Sequence, residues 1–374
     1  MLVAGCSGGG IIEINLPPDG GGGFGAGMST GTGGQAGTTE SGGTGGAAGV
    51  APVLVAITPT PASSSGSPSP AAALQAELTS FAAGARAAVV PVRWDGDPDA
   101  EISALSKRAE FYAEQGKRVL VRLVVVDRLA DHRPASVAGK AWNAPETIAA
   151  VKEAIDMLLA SSGDEVRYLT FGRDVDVYLD QHPDERPSFV AFAKEAAAYA
   201  KGHADAPKEL GVGVALSTEA PKDETAFKDL VDFQDVIAFS YFPGLGTFDP
   251  GASAGVAATV TLIADVAGKK PIVLEAAGFA SAAAAGGSED AQQKFFATLF
   301  GAVTARRESF ALVNVVELFD ASETSCAVWA EEQGEGSDGP LAAYACSLGL
   351  FHDDGTPRPA WSAVLAGSAA LSTP

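Results

Sequence analysis

Two acidic residues lie where acid–base chemistry could take place, at the ends of apolar runs. The stretch "FGRDVDVYLD" (171–180) follows one such run and places Arg173 and Asp174 directly after a glycine. Glu275 lies in a second run, "KPIVLEAAGF" (270–279). A carboxyl group can transfer a proton or act as a nucleophile once it is held near a substrate. Whether these two groups can act together depends on the elements that position them.

From residue 51 onward, short apolar runs alternate with Ala-rich amphipathic stretches. Strands are predicted at 52–60, 87–95, 117–127, 165–172, 210–218, 236–243, 270–279 and 310–320. Helices are predicted at 71–85, 99–116, 143–162, 187–203, 225–232, 256–268 and 289–307, with a closing helix near 359–371. Near-continuous apolar runs are typical of parallel strands buried on both faces. Eight strand–helix units predict a (β/α)8 TIM barrel, an α/β fold.

An open, doubly wound sheet is the alternative architecture. It would place a Gly-rich phosphate-binding turn after its first strand. The residues found there are "TPTPASSSGSPSP". The sequence therefore disfavours a nucleotide site and predicts no cofactor.

Four stretches resemble the clan of retaining glycoside hydrolases built on (β/α)8 barrels, which includes enzymes of the endo-galactanase and endo-glucanase types. They are "FGRDVDVYL", "FSYFP", "KPIVLEAAGFAS" and "GLFHDDGTPRPAW". The resemblance implies two catalytic carboxyl groups about 5–5.5 Å apart at the barrel mouth. It places the acid/base after the fourth strand, at Asp174, and the nucleophile on the seventh, near Glu275.

Both catalytic positions depart from the pattern of the clan. Asp174 stands where a Glu is usual, and Arg173 replaces the Asn that binds the sugar 2-hydroxyl. An adjacent cation also lowers the pKa of an acid that should stay protonated. On the seventh strand, Ala276 matches the nucleophile position, so Glu275 faces the other way unless a β-bulge shifts it. A surface ion pair between Arg173 and Asp174, which could also include Asp176, is the alternative interpretation.

Other residues could contact a sugar at the mouth. Trp94 and Asp95 end the second strand, Tyr241 ends the sixth, and Trp329 lies in the eighth loop. Together with Arg173 they are the candidate substrate-binding residues, although each aromatic ring could instead belong to the core. Glu317, within the eighth strand, needs a partner if it is buried, and Arg122 is one candidate.

The amino terminus resembles a bacterial lipobox. The residues "LVAGC" (2–6) imply that lipid is attached to Cys6, which would place the protein in the bacterial cell envelope, facing outward. Residues 7–50 are rich in Gly, Ser and Thr and predict a flexible tether with a mean reach of about 35–40 Å. The predicted units are therefore a lipobox (1–6), a tether (7–50) and a barrel (51–374). An accidental cysteine in a flexible tail is the alternative for Cys6.

The formal net charge is −21, from 46 acidic and 25 basic residues. Such a charge argues against nucleic-acid binding and against adhesion to anionic lipid, and self-repulsion favours a monomer. In an oxidising compartment, Cys326 and Cys346 are expected to form a disulfide, with two free thiols as the alternative. The four histidines are scattered, so no metal site is expected.

Two functions follow from these observations. The first is a catalytically degenerate glycoside-hydrolase-like lipoprotein that binds polysaccharide or oligosaccharide. The second is an active retaining glycosidase, endo-acting on β-linked polysaccharide, that uses Asp174 and Glu275. The first accounts for both departures from the clan with one cause. A serine esterase is disfavoured because no G-x-S-x-G motif directly follows a predicted strand, as a nucleophile elbow requires. The matches at 5–9 and 27–31 lie in the Gly-rich amino-terminal stretch, and the match at 251–255 begins well after the sixth strand.

Overall fold

The computed structural model describes residues 52–62 and 69–373. Their architecture is a closed barrel of eight parallel strands, and a ninth strand, β4, pairs antiparallel with the end of β3. The strands are β1 (Leu54–Ile57), β2 (Ala87–Arg93), β3 (Arg118–Asp127), β4 (Ala130–Asp131), β5 (Val166–Arg173), β6 (Gly211–Ser217), β7 (Ile237–Tyr241), β8 (Ile272–Ala277) and β9 (Phe310–Val315). The ring closes because β2 pairs with both β1 and β3. The predicted (β/α)8 barrel is thereby confirmed.

Helices surround the barrel and cover its ends. They are α1 (Pro70–Ala82), α2 (Pro98–Glu114), α3 (Pro145–Ser162), α4 (Val175–Gln181), α5 (Arg186–Gly202), α6 (Glu224–Val231), α7 (Val256–Ala267), α8 (Glu289–Ala305), α9 (Glu323–Glu332), α10 (Pro340–Ala345) and α11 (Pro359–Ser372). The eight predicted strands and the eight predicted helices all have counterparts here. Among the described residues, no helix combines the length and apolarity needed to cross a membrane.

Alternation along the strands produces two separate apolar layers. The inner layer fills one level of the barrel with side chains from several strands, among them Leu120, Tyr168 and Val273. The outer layer lies between the sheet and the helices and is much larger. Because successive side chains on a strand point to opposite faces, the neighbours of inward residues belong to the outer layer.

Residues 321–348, which we call the cap, follow β9 and contain α9 and α10. Cys326 and Cys346 form a disulfide within the cap, with their Cα atoms 5.7 Å apart, which confirms the predicted bond. Sequence analysis treated this segment as a loop. Its two helices are short, and such helices depend on tertiary packing more than on intrinsic propensity.

The closing helix α11 packs directly on α8, and one glycine permits the close approach. A Cβ atom added at Gly367 would lie 2.1 Å from Cγ of Phe300 on α8. Gly301, also on α8, would meet nothing within 4 Å. The two helical glycines therefore differ in what they contribute to folding.

We predict that Gly367→Ala destabilises the barrel by about 1–3 kcal/mol, because the methyl group would force the two helices apart. Gly301→Ala is the matched control and should stabilise the fold by about 0.5–1 kcal/mol through its helix propensity. Urea denaturation of both variants measures the difference. Equal effects of the two substitutions would show that the contact with Phe300 is not tight.

Candidate active site

The end of β5 sets the position of Asp174. Gly172 has a φ of +70°, and a Cβ atom there would meet Val175 at 2.5 Å. Asp174 follows in the left-handed region, with a φ of 48°, and α4 begins at the next residue. The Ser240 hydroxyl on β7 donates to Oδ1 of Asp174, and the Arg128 guanidinium lies 3.9 Å from its Oδ2. Burial raises the pKa of Asp174, and the nearby Arg173 charge and the Ser240 hydrogen bond oppose the rise.

Arg173 forms a buried ion pair with Asp127 rather than with Asp174. Its Nε donates to Oδ1 of Asp127, at the end of β3, over 2.7 Å. The Trp329 ring covers the guanidinium, with 5.4 Å between the Arg173 Cζ and the ring centroid. The alternative of a surface ion pair between Arg173 and Asp174 is therefore wrong, because both side chains are buried and Arg173 is bound to Asp127.

A β-bulge interrupts β8 at Glu275. In the pairing with β7, Phe239 lies opposite Leu274 and Ser240 lies opposite Ala276, so Glu275 has no partner in the ladder. Its side chain contacts residues of β3 and β5, which are not neighbours of β8 in the sheet. Such contacts are possible only across the barrel, so Glu275 faces the interior.

Inside the barrel, both carboxylate oxygens of Glu275 are engaged. Oε1 lies 2.8 Å from Nε of Arg122, and Oε2 accepts a hydrogen bond from the Thr170 hydroxyl at 2.8 Å. Glu275 is 0% exposed; burial raises its pKa and the Arg122 charge opposes this. Arg122 is thus the partner of Glu275, whereas sequence analysis named it for Glu317. Ala276, at the position that matches the nucleophile, carries no carboxyl group.

The cap closes much of the mouth above Arg173. Gln333 donates through Nε2 to the Asp127 carbonyl at 3.1 Å and accepts the Leu129 amide at 3.0 Å. Glu332 pairs with Arg93 at the end of β2 over 3.0 Å. On the other side, the Tyr344 hydroxyl donates to the Pro243 carbonyl at 3.0 Å. The cap therefore spans the mouth from the β2–β3 side to the β7 side.

A cavity of about 520 Å³ is present at the carboxyl ends of β5, β6 and β7. Acids, bases, hydroxyl groups and apolar side chains share its wall, and its lining includes Arg128, Asp174, Asp176, Ser217, Ser240, Tyr241, Phe227 and Leu245. Glu275 is not part of this lining. Of the two candidate catalytic carboxyl groups, only Asp174 reaches the cavity.

The candidate sugar-binding residues are dispersed. Trp94 is 6% exposed and packs in the outer layer against Trp142 and Phe192, with ring centroids 6.4 and 5.7 Å away. Trp329 is buried in the cap rather than displayed on a loop. The structure therefore places neither indole at the cavity wall, whereas the ring of Tyr241 lies there.

Asp95 belongs to a charged cluster at the end of β2. It receives hydrogen bonds from Arg93 at 3.1 Å and contacts Nδ1 of His132 at 3.1 Å. Burial alone would raise the pKa of Asp95, but the contacts with His132 and Arg93 outweigh it and lower the pKa to about 2. The Asp95 carboxylate therefore binds Arg93 and His132 and does not line the cavity.

Sequence reasoning assigned neither of two cavity residues to the site: it considered Asp176 only as part of a surface ion pair and did not identify Arg128. Asp176, in the first turn of α4, accepts the Ser217 amide at 2.7 Å and the Ser217 hydroxyl at 2.6 Å. Burial and the neighbouring Asp174 raise the pKa of Asp176 to about 7. Arg128 follows the end of β3 and lines the same cavity. Charged residues directly after barrel strands are the signal that could have identified both.

Several solved structures share this fold. A GH5_18 protein from Bifidobacterium longum subsp. longum aligns with a TM-score of 0.64 at 14% identity, covering 85% of this chain and 79% of that chain. One from Bifidobacterium longum subsp. infantis gives 0.66 at 13% identity, covering 85% and 79%. An exo-beta-1,4-mannosidase from Opitutaceae bacterium strain TAV5 gives 0.65 at 12% identity, covering 86% and 60%.

A further structure of the first protein, as a variant, contains the disaccharide Manβ1-4GlcNAc and aligns with a TM-score of 0.63 at 15% identity, covering 85% of this chain and 78% of that chain. No protein-family model matches the sequence, and no curated protein does. At these identities the similarity establishes a shared fold. The expected resemblance to barrel glycoside hydrolases is confirmed at that level.

Glu317, two residues after the end of β9, leads to a prediction about how stability depends on pH. Burial and the nearby Asp320 raise the pKa of Glu317 from 4.5 to about 8. The folded state therefore holds this proton more tightly than the unfolded state, and the stability it contributes is lost as pH rises from about 4.5 to about 8. Glu317→Gln stays neutral, so we expect its stability relative to the wild type to increase with pH on the order of 1 kcal/mol per unit.

Thermal unfolding of both proteins between about pH 5 and 8 measures this difference. The exposed Glu114 at the end of α2 supplies the control, since Glu114→Gln should shift the melting temperature by a similar small amount at every pH. A constant offset between Glu317→Gln and the wild type would contradict the prediction.

Proposed function

We propose that this barrel binds a short carbohydrate in the cavity at the ends of β5, β6 and β7 and does not carry out retaining hydrolysis. One observation carries the proposal: Glu275 lies inside the barrel against Arg122 and Thr170, while only Asp174 lines the cavity. Retaining hydrolysis needs two carboxyl groups facing one sugar. Glu275 is fully buried and does not line the cavity, so its carboxylate cannot reach the anomeric carbon of a sugar bound there.

Inverting hydrolysis is disfavoured for a related reason. It needs a second carboxylate that activates a water molecule on the opposite face of the sugar. Asp176 is the other buried acid of the cavity, and Ser217 donates to both of its oxygens. The exposed acids of the lining also have protein partners: Asp180 pairs with Arg186, Glu219 with Lys222, and Asp223 accepts the Ala226 amide. Asp176 is therefore better suited to fixing the β6 end than to activating water.

The cavity is suited to binding sugars. Its volume of about 520 Å³ lies within the range of small-molecule sites, roughly 300–1,000 Å³. Asp174 and the Ser240 hydroxyl present polar atoms at its inner end, and Tyr241 and Phe227 supply apolar surface. Sugars combine hydroxyl groups with apolar ring faces, so both kinds of surface have a use. A similar barrel that holds a disaccharide is consistent with this proposal.

The binding panel for this proposal consists of cellobiose, laminaribiose, β-1,4-mannobiose, β-1,4-galactobiose and their polymers. We expect at least one to bind the purified chain by calorimetry without release of reducing ends. Asp174→Ala should weaken that binding about tenfold or more, because it removes an acceptor of hydroxyl hydrogen bonds. Glu209→Gln is the control, since Glu209 precedes β6 at the opposite end of the barrel.

Two results would contradict the proposal. Turnover that disappears in both Asp174→Ala and Glu275→Ala would restore the active glycosidase. Absence of binding to every glycan of the panel would remove the carbohydrate ligand itself.

We further propose that lipid on Cys6 holds the domain at the bacterial envelope, with residues 7–50 as the tether. Both lie outside the described residues, and the sequence "LVAGC" supports the proposal. In the native cells, the wild-type protein should fractionate with membranes, and Cys6→Ser should move it to the soluble fraction. Membrane association that survives this substitution would exclude a lipid anchor at Cys6.

A further inference from the structure

Arg128 differs from the other arginines of the barrel mouth. Arg93 pairs with Asp95 and Glu332, Arg122 with Glu275, Arg173 with Asp127 and Arg186 with Asp180. The guanidinium of Arg128 makes no hydrogen bond to any residue that the structure describes. Its nearest carboxylate oxygen, Oδ2 of Asp174, lies 3.9 Å away, beyond hydrogen-bonding distance.

The Arg128 side chain is nevertheless largely enclosed at the cavity. The Arg128 side chain is only 19% exposed. Its backbone amide donates to the Arg173 carbonyl at 2.9 Å. Gly246, in the loop after β7, leaves room for the group, since a Cβ atom there would lie 3.1 Å from Nη2 of Arg128.

Strained backbone conformations also occur at this cavity. Among the described residues, three other than glycine have a positive φ: Arg128, Asp174 and Phe248. The first two line the cavity, and Phe248 follows its last lining residue, Thr247. Non-glycine residues in this region cost free energy and cluster where function requires a fixed side-chain direction. Arg128 is thus directed into the cavity at an energetic cost.

A guanidinium carries five donors in a planar fork, and this fork matches the two oxygens of a carboxylate. Neutral hydroxyl groups would engage such a fork only in part. Building on the proposed carbohydrate site, we propose that the cavity selects a uronic acid residue, whose carboxylate binds Arg128. The sugar ring then lies along Tyr241 and its hydroxyl groups reach the Asp174 side of the cavity.

Methyl β-glycosides of glucuronic, galacturonic and mannuronic acid test this, each paired with its neutral parent sugar. Within each pair the probes differ only in a carboxylate or a hydroxymethyl group. NMR titration at about 0.15 M salt, where long-range attraction is screened, should show at least one uronide binding about tenfold more tightly than its parent. The 6-sulfate of methyl β-glucoside distinguishes a planar anion from a tetrahedral one.

Arg128→Gln should abolish this preference, and Arg128→Lys, which keeps the charge and loses the fork, should retain only part of it. Arg118→Gln is the matched control, because Arg118 begins β3 at the opposite end of the barrel and pairs with Glu165. Melting curves establish that each variant is folded. If Arg128→Gln does not fold, the preference of the wild-type protein within each probe pair decides the matter.

The results that would contradict the uronic acid proposal can be distinguished from those that would contradict the carbohydrate site. Equal or tighter binding of the neutral sugars would overturn the uronic acid assignment and leave the carbohydrate site standing. Preference for the sulfate over every uronide would overturn it as well. A wild-type protein that binds no probe here and no glycan of the earlier panel would remove both proposals.

Discussion

The ion pair between Arg122 and Glu275 determines what the rest of the barrel mouth can do. Both side chains lie inside the barrel, and neither could remain charged there alone without a large desolvation cost. The pair satisfies this constraint, with Thr170 on the second carboxylate oxygen. It also withdraws from the cavity the only acid of β8.

Arg173 forms a second buried ion pair, at the mouth of the barrel. Its charge is balanced by Asp127 on β3, and the Trp329 ring lies over it. The cap that carries Trp329 is fixed to both sides of the mouth through Gln333 and Tyr344. Two buried ion pairs and one covering segment thus fill and cover much of the mouth, and the described cavity lies beside β5, β6 and β7. The fold is shared with glycoside hydrolases, but a fold alone does not determine activity.

The sequence predicted the barrel well because its signal is repeated eight times. Each strand is an apolar run and each helix an amphipathic one, so local pattern and global fold agree.

The site was predicted less well for identifiable reasons. Glu275 faces inward by simple alternation from Val273, and the bulge shifts the register of the residues that follow it. No property of "LEAAGF" shows whether one residue leaves the ladder. Trp94 and Trp329 are aromatic residues near the carboxyl ends of strands, and only packing shows that both are buried. Arg128 could have been suspected from its position after β3, but only tertiary structure shows that its guanidinium makes no hydrogen bond to the residues described.

The position of the disulfide has a consequence for biogenesis. Cys326 and Cys346 lie within the cap and are 20 residues apart in sequence, so their bond links the cap to itself and leaves the barrel free of covalent cross-links. The cap is also made late, since it follows the last barrel strand in the chain. Translation can therefore complete the eight strands before the cysteines emerge, and oxidation acts on a short closing segment whose pairing needs no long-range search. A chain delivered across a membrane in a reduced state needs only one local oxidation to complete the covalent structure of this domain.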